Sequence, residues 1–296
     1  MTLTNHPRRN FFNLLREIQP AERDVARARA RFGAVRVRLS RNFQIADARI
    51  IGSHARDTAV DRFSDVDLLI MLKRSEARWG QNDVSSTTIL DRFRRELDQK
   101  YVHTKVGRDG QAIVVHFEKG NAMLDVVPAV FRRFEKAPIY VIPNGTGGWL
   151  ESSPLAHNQF FRRADTDSEG RLTRTSRLLK WWKYSRTPAT PVSSFYLDMT
   201  LASSKICRNV KSYSHSVALA LSHLADRNGQ ALNDPTGLCG EITATATEPQ
   251  LDRYRQIVSS SALNARLALV HEWTGDFERA NSLWQRVFNG AFLKHT

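Results

Sequence analysis

Two aspartates one residue apart, Asp65 and Asp67, open an otherwise apolar run, Ser64-Asp65-Val66-Asp67-Leu68-Leu69-Ile70. In an extended chain, residues i and i+2 project from the same face, so both carboxylates point one way. Side by side they repel, and near a core each loses solvation. A hard divalent cation such as magnesium, which prefers oxygen ligands, relieves both penalties. The plain alternative is an exposed strand end, where Asp-x-Asp is commonplace. Two further features favour the cation. Gly52-Ser53 closes an earlier strand, where a glycine lets backbone approach a phosphate and a serine hydroxyl can donate to it. Asp125 is the lone acid in Met123-Leu124-Asp125-Val126-Val127, and an aspartate centred in a buried strand is costly unless paired or metal-bound. Its alternative is a buried ion pair with one of the many arginines.

The elements that must position these groups can be read from periodicity. Ala48 to Ile51 and Val66 to Leu72 read as strands, the second apolar enough to be central in a sheet. Eleven residues separate Ser53 from Asp65, room for a short helix over His54 to Val60 and a return to an adjacent strand. A helix is expected over Thr88 to Gln99, then strands over Ala112 to Phe117 and Ala122 to Val127, joined by a hairpin turn at Glu118 to Asn121. Pro128 is expected to end the last of these, since proline cannot donate to a ladder. Upstream, Val25, Ala28, Phe32, Val35 and Leu39 form one stripe of a long amphipathic helix, with Pro20 in its first turn. From about Pro143 to Arg171 the chain reads as loop. Helices follow around Leu172 to Trp182, Leu197 to Ala202, Val217 to Leu224, Tyr254 to Leu269 and Phe277 to Phe288, with a loop from Gly237 to Pro249. The expected organisation is therefore an α+β front half over residues 1–145 and an all-helical half over 146–296.

Composition bounds the partners. The chain has 296 residues and a formal net charge of +14, which favours polyanions such as nucleotides, nucleic acid or anionic membrane. Half of that charge lies in the first 41 residues, with ten arginines against Glu17, Glu22 and Asp24; a solvated helix face explains it equally well. No apolar run approaches the ~18–20 residues that cross a bilayer, and Met1 to Arg9 lacks the apolar stretch of a secretory signal. Cys207 and Cys239 show no metal-ligand spacing. A cytoplasmic protein with no membrane partner is expected.

Gly52-Ser53, then Ser64-Asp65-Val66-Asp67, then a distant Asp125 resembles the polymerase-β nucleotidyltransferase superfamily. More narrowly, Gly-Ser-His-Ala-Arg-Asp-Thr-Ala-Val at 52–60, Leu124-Asp125-Val126-Val127-Pro128-Ala129 and Ile142-Pro143-Asn144 leading into Trp149 are similar to the cGAS/DncV-like nucleotidyltransferases (CD-NTases) of bacterial CBASS antiphage signalling. The resemblance runs from about residue 45 to residue 200 and implies a polymerase-β-like core with a helical lobe, the two flanking a central cleft. It implies that Asp65, Asp67 and Asp125 bind two magnesium ions, with manganese as an alternative. It implies that Gly52 and Ser53 cradle the donor phosphates. Lys180, Ser194 and Phe195 match the family's donor-nucleotide residues, as charge, hydroxyl and stacking face respectively; by type alone, Lys180 is equally a surface lysine and Phe195 a core aromatic. Relatives often carry tyrosine where Phe195 stands.

The expected activity is synthesis of a cyclic di- or trinucleotide from nucleoside triphosphates. Its product would activate a separate effector protein, with nucleic acid not required. The competing reading is a template-independent RNA 3′-end nucleotidyltransferase of the CCA-adding or poly(A) polymerase type, which shares the carboxylates and would use the arginine-rich helix to grip RNA.

Overall fold

Apart from Asp67, the run Val66–Leu72 is apolar on both faces because both faces are covered. In the computed structural model, which describes residues 6–78, 82–102, 104–117, 123–210 and 212–292, it forms β2 (Val66–Leu72) inside a seven-stranded mixed sheet. Its neighbours are β1 (Ile45–Ile50), antiparallel, and β5 (Leu124–Phe134), parallel. Beyond β5 lie β4 (Ala112–His116) and β3 (Lys105–Asp109), while β6 (Pro138–Pro143) pairs with the far part of β5 and β7 (Trp149–Ser152) with β6.

Strand alternation divides the core. Val66, Leu68, Ile70 and Leu72 join Val35, Leu39, Ile89, Phe93 and Leu97 in one buried cluster. The last five come from α2 (Glu22–Leu39) and α4 (Ser86–Lys100). Leu69 and Met71 face the other way, into a smaller cluster with Val127, Ala129, Tyr140 and Ile142. Asp67 and Asp125 belong by alternation to this second face.

Contacts divide the chain into two compact units: Pro20–Gln159 with Thr236–Gly240, and Met1–Gln19 with Phe160–Pro235 and Glu241–Thr296. These differ from the expected halves in three ways, one being that Thr236–Gly240 joins the first unit. The helix α1 (Pro7–Glu17), not foreseen as separate from α2, belongs to the second unit. The division falls within α5 (Pro154–Thr166), not at residue 145. The second unit also holds α6 (Arg171–Tyr184), α7 (Ser194–Ser204), α8 (Tyr213–Asp226), α9 (Glu248–Trp273) and α10 (Phe277–Val287). Phe11 of α1 closes its core, with its ring centroid 4.9 Å from Trp284 and 4.8 Å from Phe292. Among the described residues, no helix is long and apolar enough to cross a membrane.

Other expectations need correction. The helix over His54 to Val60 is a single turn, α3 (Gly52–Ala55), because Asp57 at φ 58° leaves the helical region. β5 continues through Pro128. Its other edge pairs with β4 only at Leu124–Val126 and with β6 only from Val130, so Pro128 sits where that edge has no ladder partner to lose. The segment expected as loop after Pro143 contains β7 and α5, and β3 and β6 were not anticipated. The hairpin turn at Glu118 to Asn121 lies outside the described residues.

Candidate active site

The sheet brings the three aspartates to one end of two adjacent strands. Asp67 and Asp125 are direct partners in the parallel β2–β5 register, and Asp65 immediately precedes β2. The position of Asp65 is fixed by Val66, whose N–H donates to the Met123 carbonyl at 3.0 Å. The Met123 amide in turn donates to the Asp65 carboxylate. Asp65 is nevertheless held above the usual carboxylate range, chiefly by burial, with the Met123 amide and His116 opposing the shift. Asp125 is pushed up to about 7, first by burial and then by the negative charges of Asp67, Asp65 and Asp109. A cluster in which desolvation and like charge raise the carboxylates is an oxygen-rich site suited to a divalent cation.

Gly52 provides a second, independent indication. Its φ is +66°, and a Cβ there would meet Asp67 Oδ2 at 1.8 Å. The Ile51 N–H donates to the Asp67 carbonyl at 2.9 Å. Glycine is thus required both by the left-handed backbone and by the closeness of the Asp67 carboxylate. Ser53, next in the turn, is partly exposed, and its carbonyl accepts from Thr58 at 2.9 Å. The loop returns through Ser64, whose Oγ accepts from the Val60 N–H at 2.8 Å. Asp109, on β3, was not foreseen as part of this cluster because its strand was not read.

This electrostatics predicts a pH-dependent cost. Asp125 has a folded pKa above its unfolded value, so its penalty is absent below about pH 4, grows as pH rises and is complete above about 7. Asp125→Asn is therefore expected to stabilise the metal-free chain at pH 8 by about 2–4 kcal/mol, with the gain fading toward pH 4. Thermal melts in chelator at several pH values check this; a gain that does not depend on pH would contradict it.

In the helical unit the two lysines of α6, Lys180 and Lys183, have different surroundings. Lys180 is 1 % exposed, and its Nζ donates to Asp198 Oδ2 at 2.8 Å. Ser176 donates to the other oxygen of the same buried carboxylate. The expectation that Lys180 presents its charge to a ligand is thus corrected: its ammonium neutralises a buried aspartate. Lys183, three residues on, is only partly buried, and its Nζ donates to Ser194 Oγ at 3.1 Å. Burial lowers the Lys183 pKa, with Asp198 opposing. Ser194 starts α7, whose N-cap is Ser193, and Phe195 beside it is partly buried. Lys180→Ala is expected to cost about 3–5 kcal/mol, the penalty for stranding a buried charge. Lys183→Ala should leave stability nearly unchanged. Melting both variants beside the wild type tests the exchange, and equal melting temperatures for wild type and Lys180→Ala would contradict it.

Two of the α2 arginines are engaged within the unit, while Arg23, Arg27, Arg29 and Arg36 are exposed. Arg38 pairs with Glu96 at 2.9 Å, and Arg31 lies over the Phe117 ring at 3.8 Å.

Residues 1–164 match the family model described as Second Messenger Oligonucleotide or Dinucleotide Synthetase domain. A probable cyclic nucleotide synthase of Bacillus cereus is 21% identical, aligned over 82% of this chain and 81% of that protein. A cyclic AMP-AMP-AMP synthase of Acinetobacter is 22% identical, over 95% of this chain and 84% of its own. Among solved structures, E. coli MS115-1 CdnC with ATP superposes with a TM-score of 0.75 at 16% identity, covering 96% of this chain and 98% of that one. The Bradyrhizobium diazoefficiens CD-NTase CdnG with GTP gives 0.72 at 18%, covering 95% and 96%.

Proposed function

This chain belongs to the Second Messenger Oligonucleotide or Dinucleotide Synthetase domain family and is a cGAS/DncV-like nucleotidyltransferase, and from that premise we propose that it condenses nucleoside triphosphates into a cyclic di- or trinucleotide, releasing pyrophosphate, as a messenger in antiphage defence. The observation that carries the reading is the Asp67–Asp125 pairing across parallel strands, with Asp65 alongside and the Gly52 backbone against Asp67. The curated relatives, named as cyclic nucleotide synthases, support the cyclic product.

Asp65, Asp67 and Asp125 fit a divalent cation as an all-oxygen, mutually repelling set, and we assign them two magnesium ions. Bound there, magnesium lowers the pKa of an attacking ribose hydroxyl and stabilises a departing pyrophosphate. The chain's own residues do the rest. Asp125, with its pKa near 7, gives up its proton at neutral pH to become a ligand, so cation uptake should release protons. Gly52 keeps the backbone close to Asp67 without a side chain in the way, and the Ser53 hydroxyl donates to a phosphate oxygen. Lys183 and Ser194 take the donor-phosphate role that the family resemblance gave to Lys180 and Ser194, with Phe195 offering a face to the base. A phosphate-bound ammonium contributes about 1.5–3 kcal/mol, so Lys183→Ala should lower kcat/KM by roughly tenfold to a hundredfold.

The test is to incubate the purified protein with the four labelled triphosphates and magnesium, without DNA or RNA. A phosphatase-resistant product supports the reading. Nucleotides added only to the 3′ end of supplied RNA would instead identify an RNA-tailing enzyme.

A further inference from the structure

The helical unit carries a cationic cavity that the proposed reaction does not use. It is lined by His6, Arg8, Arg9, Phe12, Arg171, Ser212 and Tyr213 and has a volume of about 680 Å³. That size lies within the range of small-molecule sites. No carboxylate lines it among the described residues. Two acids of the helical unit are occupied: Glu272 accepts from Ser214 Oγ at 2.8 Å and from Trp284 Nε1 at 2.7 Å, and Asp167 pairs with Arg208.

The amides at the surrounding helix starts are also largely spent. Arg8 N–H donates to His6 Nδ1 and His215 N–H to Ser212 Oγ. Leu172 N–H donates to Ser168 Oγ and Thr173 N–H to Asp165. The chemistry of the cavity is therefore that of its side chains. Arg8 and Arg9 are exposed in the first turn of α1, and neither has a carboxylate partner among the described residues. Arg171 lies over the Tyr213 ring, with Cζ 5.4 Å from its centroid, within cation–π range. Phe12 is 56% exposed and follows Arg8 by one helical turn. Guanidiniums without internal counterions, collected in one concavity, recognise phosphate by paired N–H donation.

We propose that this cavity binds a small polyphosphorylated ligand, held by Arg8, Arg9 and Arg171, as an anion site built wholly from the helical unit. Inorganic tripolyphosphate is the probe, titrated calorimetrically into the full-length chain in chelator so that no divalent cation is present. Arg8→Ala with Arg171→Ala should weaken binding by about tenfold or more, since each removes charge-assisted hydrogen bonds. Raising salt should weaken binding in the wild type, and Arg266→Ala, an exposed arginine of α9 outside the cavity, should leave it unchanged. Arg8→Ala with Arg9→Ala, both exposed and outside any core, gives the same loss without disturbing α6. Unchanged affinity in both double variants overturns the proposal, as does an equal loss of binding in Arg266→Ala alone. An oligonucleotide duplex that binds more tightly than tripolyphosphate, with the same arginine dependence, also overturns it in favour of a nucleic-acid surface.

Discussion

The chain carrying Asp65→Asn and Asp67→Asn is expected to make no detectable product while keeping its fold. Asparagine preserves side-chain volume, so neither the turn before β2 nor the cluster around Leu69 and Met71 is disturbed. What changes is charge. Two of the three carboxylates that would hold cations become neutral amides, poor ligands for a hard divalent ion. The substitution also lowers the repulsion on Asp125, whose pKa is raised in part by Asp67 and Asp65. The double variant should therefore melt no lower than wild type in chelator. It should also lose the stabilisation that the wild type gains from added magnesium or manganese. Near-normal product formation by this variant would remove the metal assignment altogether.

Gly52→Ala is expected to be nearly as damaging, through geometry instead of charge. The added Cβ would stand 1.8 Å from Asp67 Oδ2 at a backbone φ of +66°. Either the turn must leave the left-handed region or the Asp67 carboxylate must swing away. An L-residue in that region costs on the order of 1–2 kcal/mol, a modest loss of stability. Displacing a carboxylate proposed to hold the metal by about an ångström is far more serious for the reaction, since a misplacement of that size costs on the order of a hundredfold. Kinetics and melting temperature together decide the matter: a large drop in turnover with a small drop in stability is predicted. A variant as active as wild type would show that Asp67 does not need the place it occupies beside Gly52.

Much of this site was legible because its signals are local. Val66–Leu72 reads as a buried strand from its apolar run alone, and a period of two puts Asp65 and Asp67 on one face. Asp125 stands out as a single acid among apolar neighbours. What could not be read depends on partners distant in sequence. Pro128 is a strand breaker only where its edge is paired, and the exchange of β4 for β6 along β5 appears in no local pattern. Lys180 lies on an amphipathic helix whose own periodicity does not reveal the acid that claims it. Asp198 was the missed signal: an acid within Phe195 to Ala202 demands a buried cation by the same logic that marked Asp125. Applied there, that logic would have assigned Lys180 to Asp198 instead of to a ligand. The segment containing β7 and α5 was obscured by Gly145, Gly147, Gly148 and Pro154, which punctuate short elements as readily as loops.

The most direct test of cyclic-nucleotide synthesis is the stoichiometry of pyrophosphate released to nucleotide incorporated, measured with purified protein, magnesium and the four triphosphates. Closing a ring consumes the last 5′-triphosphate, so each incorporated nucleotide must release one pyrophosphate, and the product mass must equal a whole number of nucleoside monophosphates less one water for each. A ratio of one, with that mass, is the predicted result. A ratio below one, with a product that keeps a terminal triphosphate and is trimmed by phosphatase, would contradict it and identify a linear polymerase.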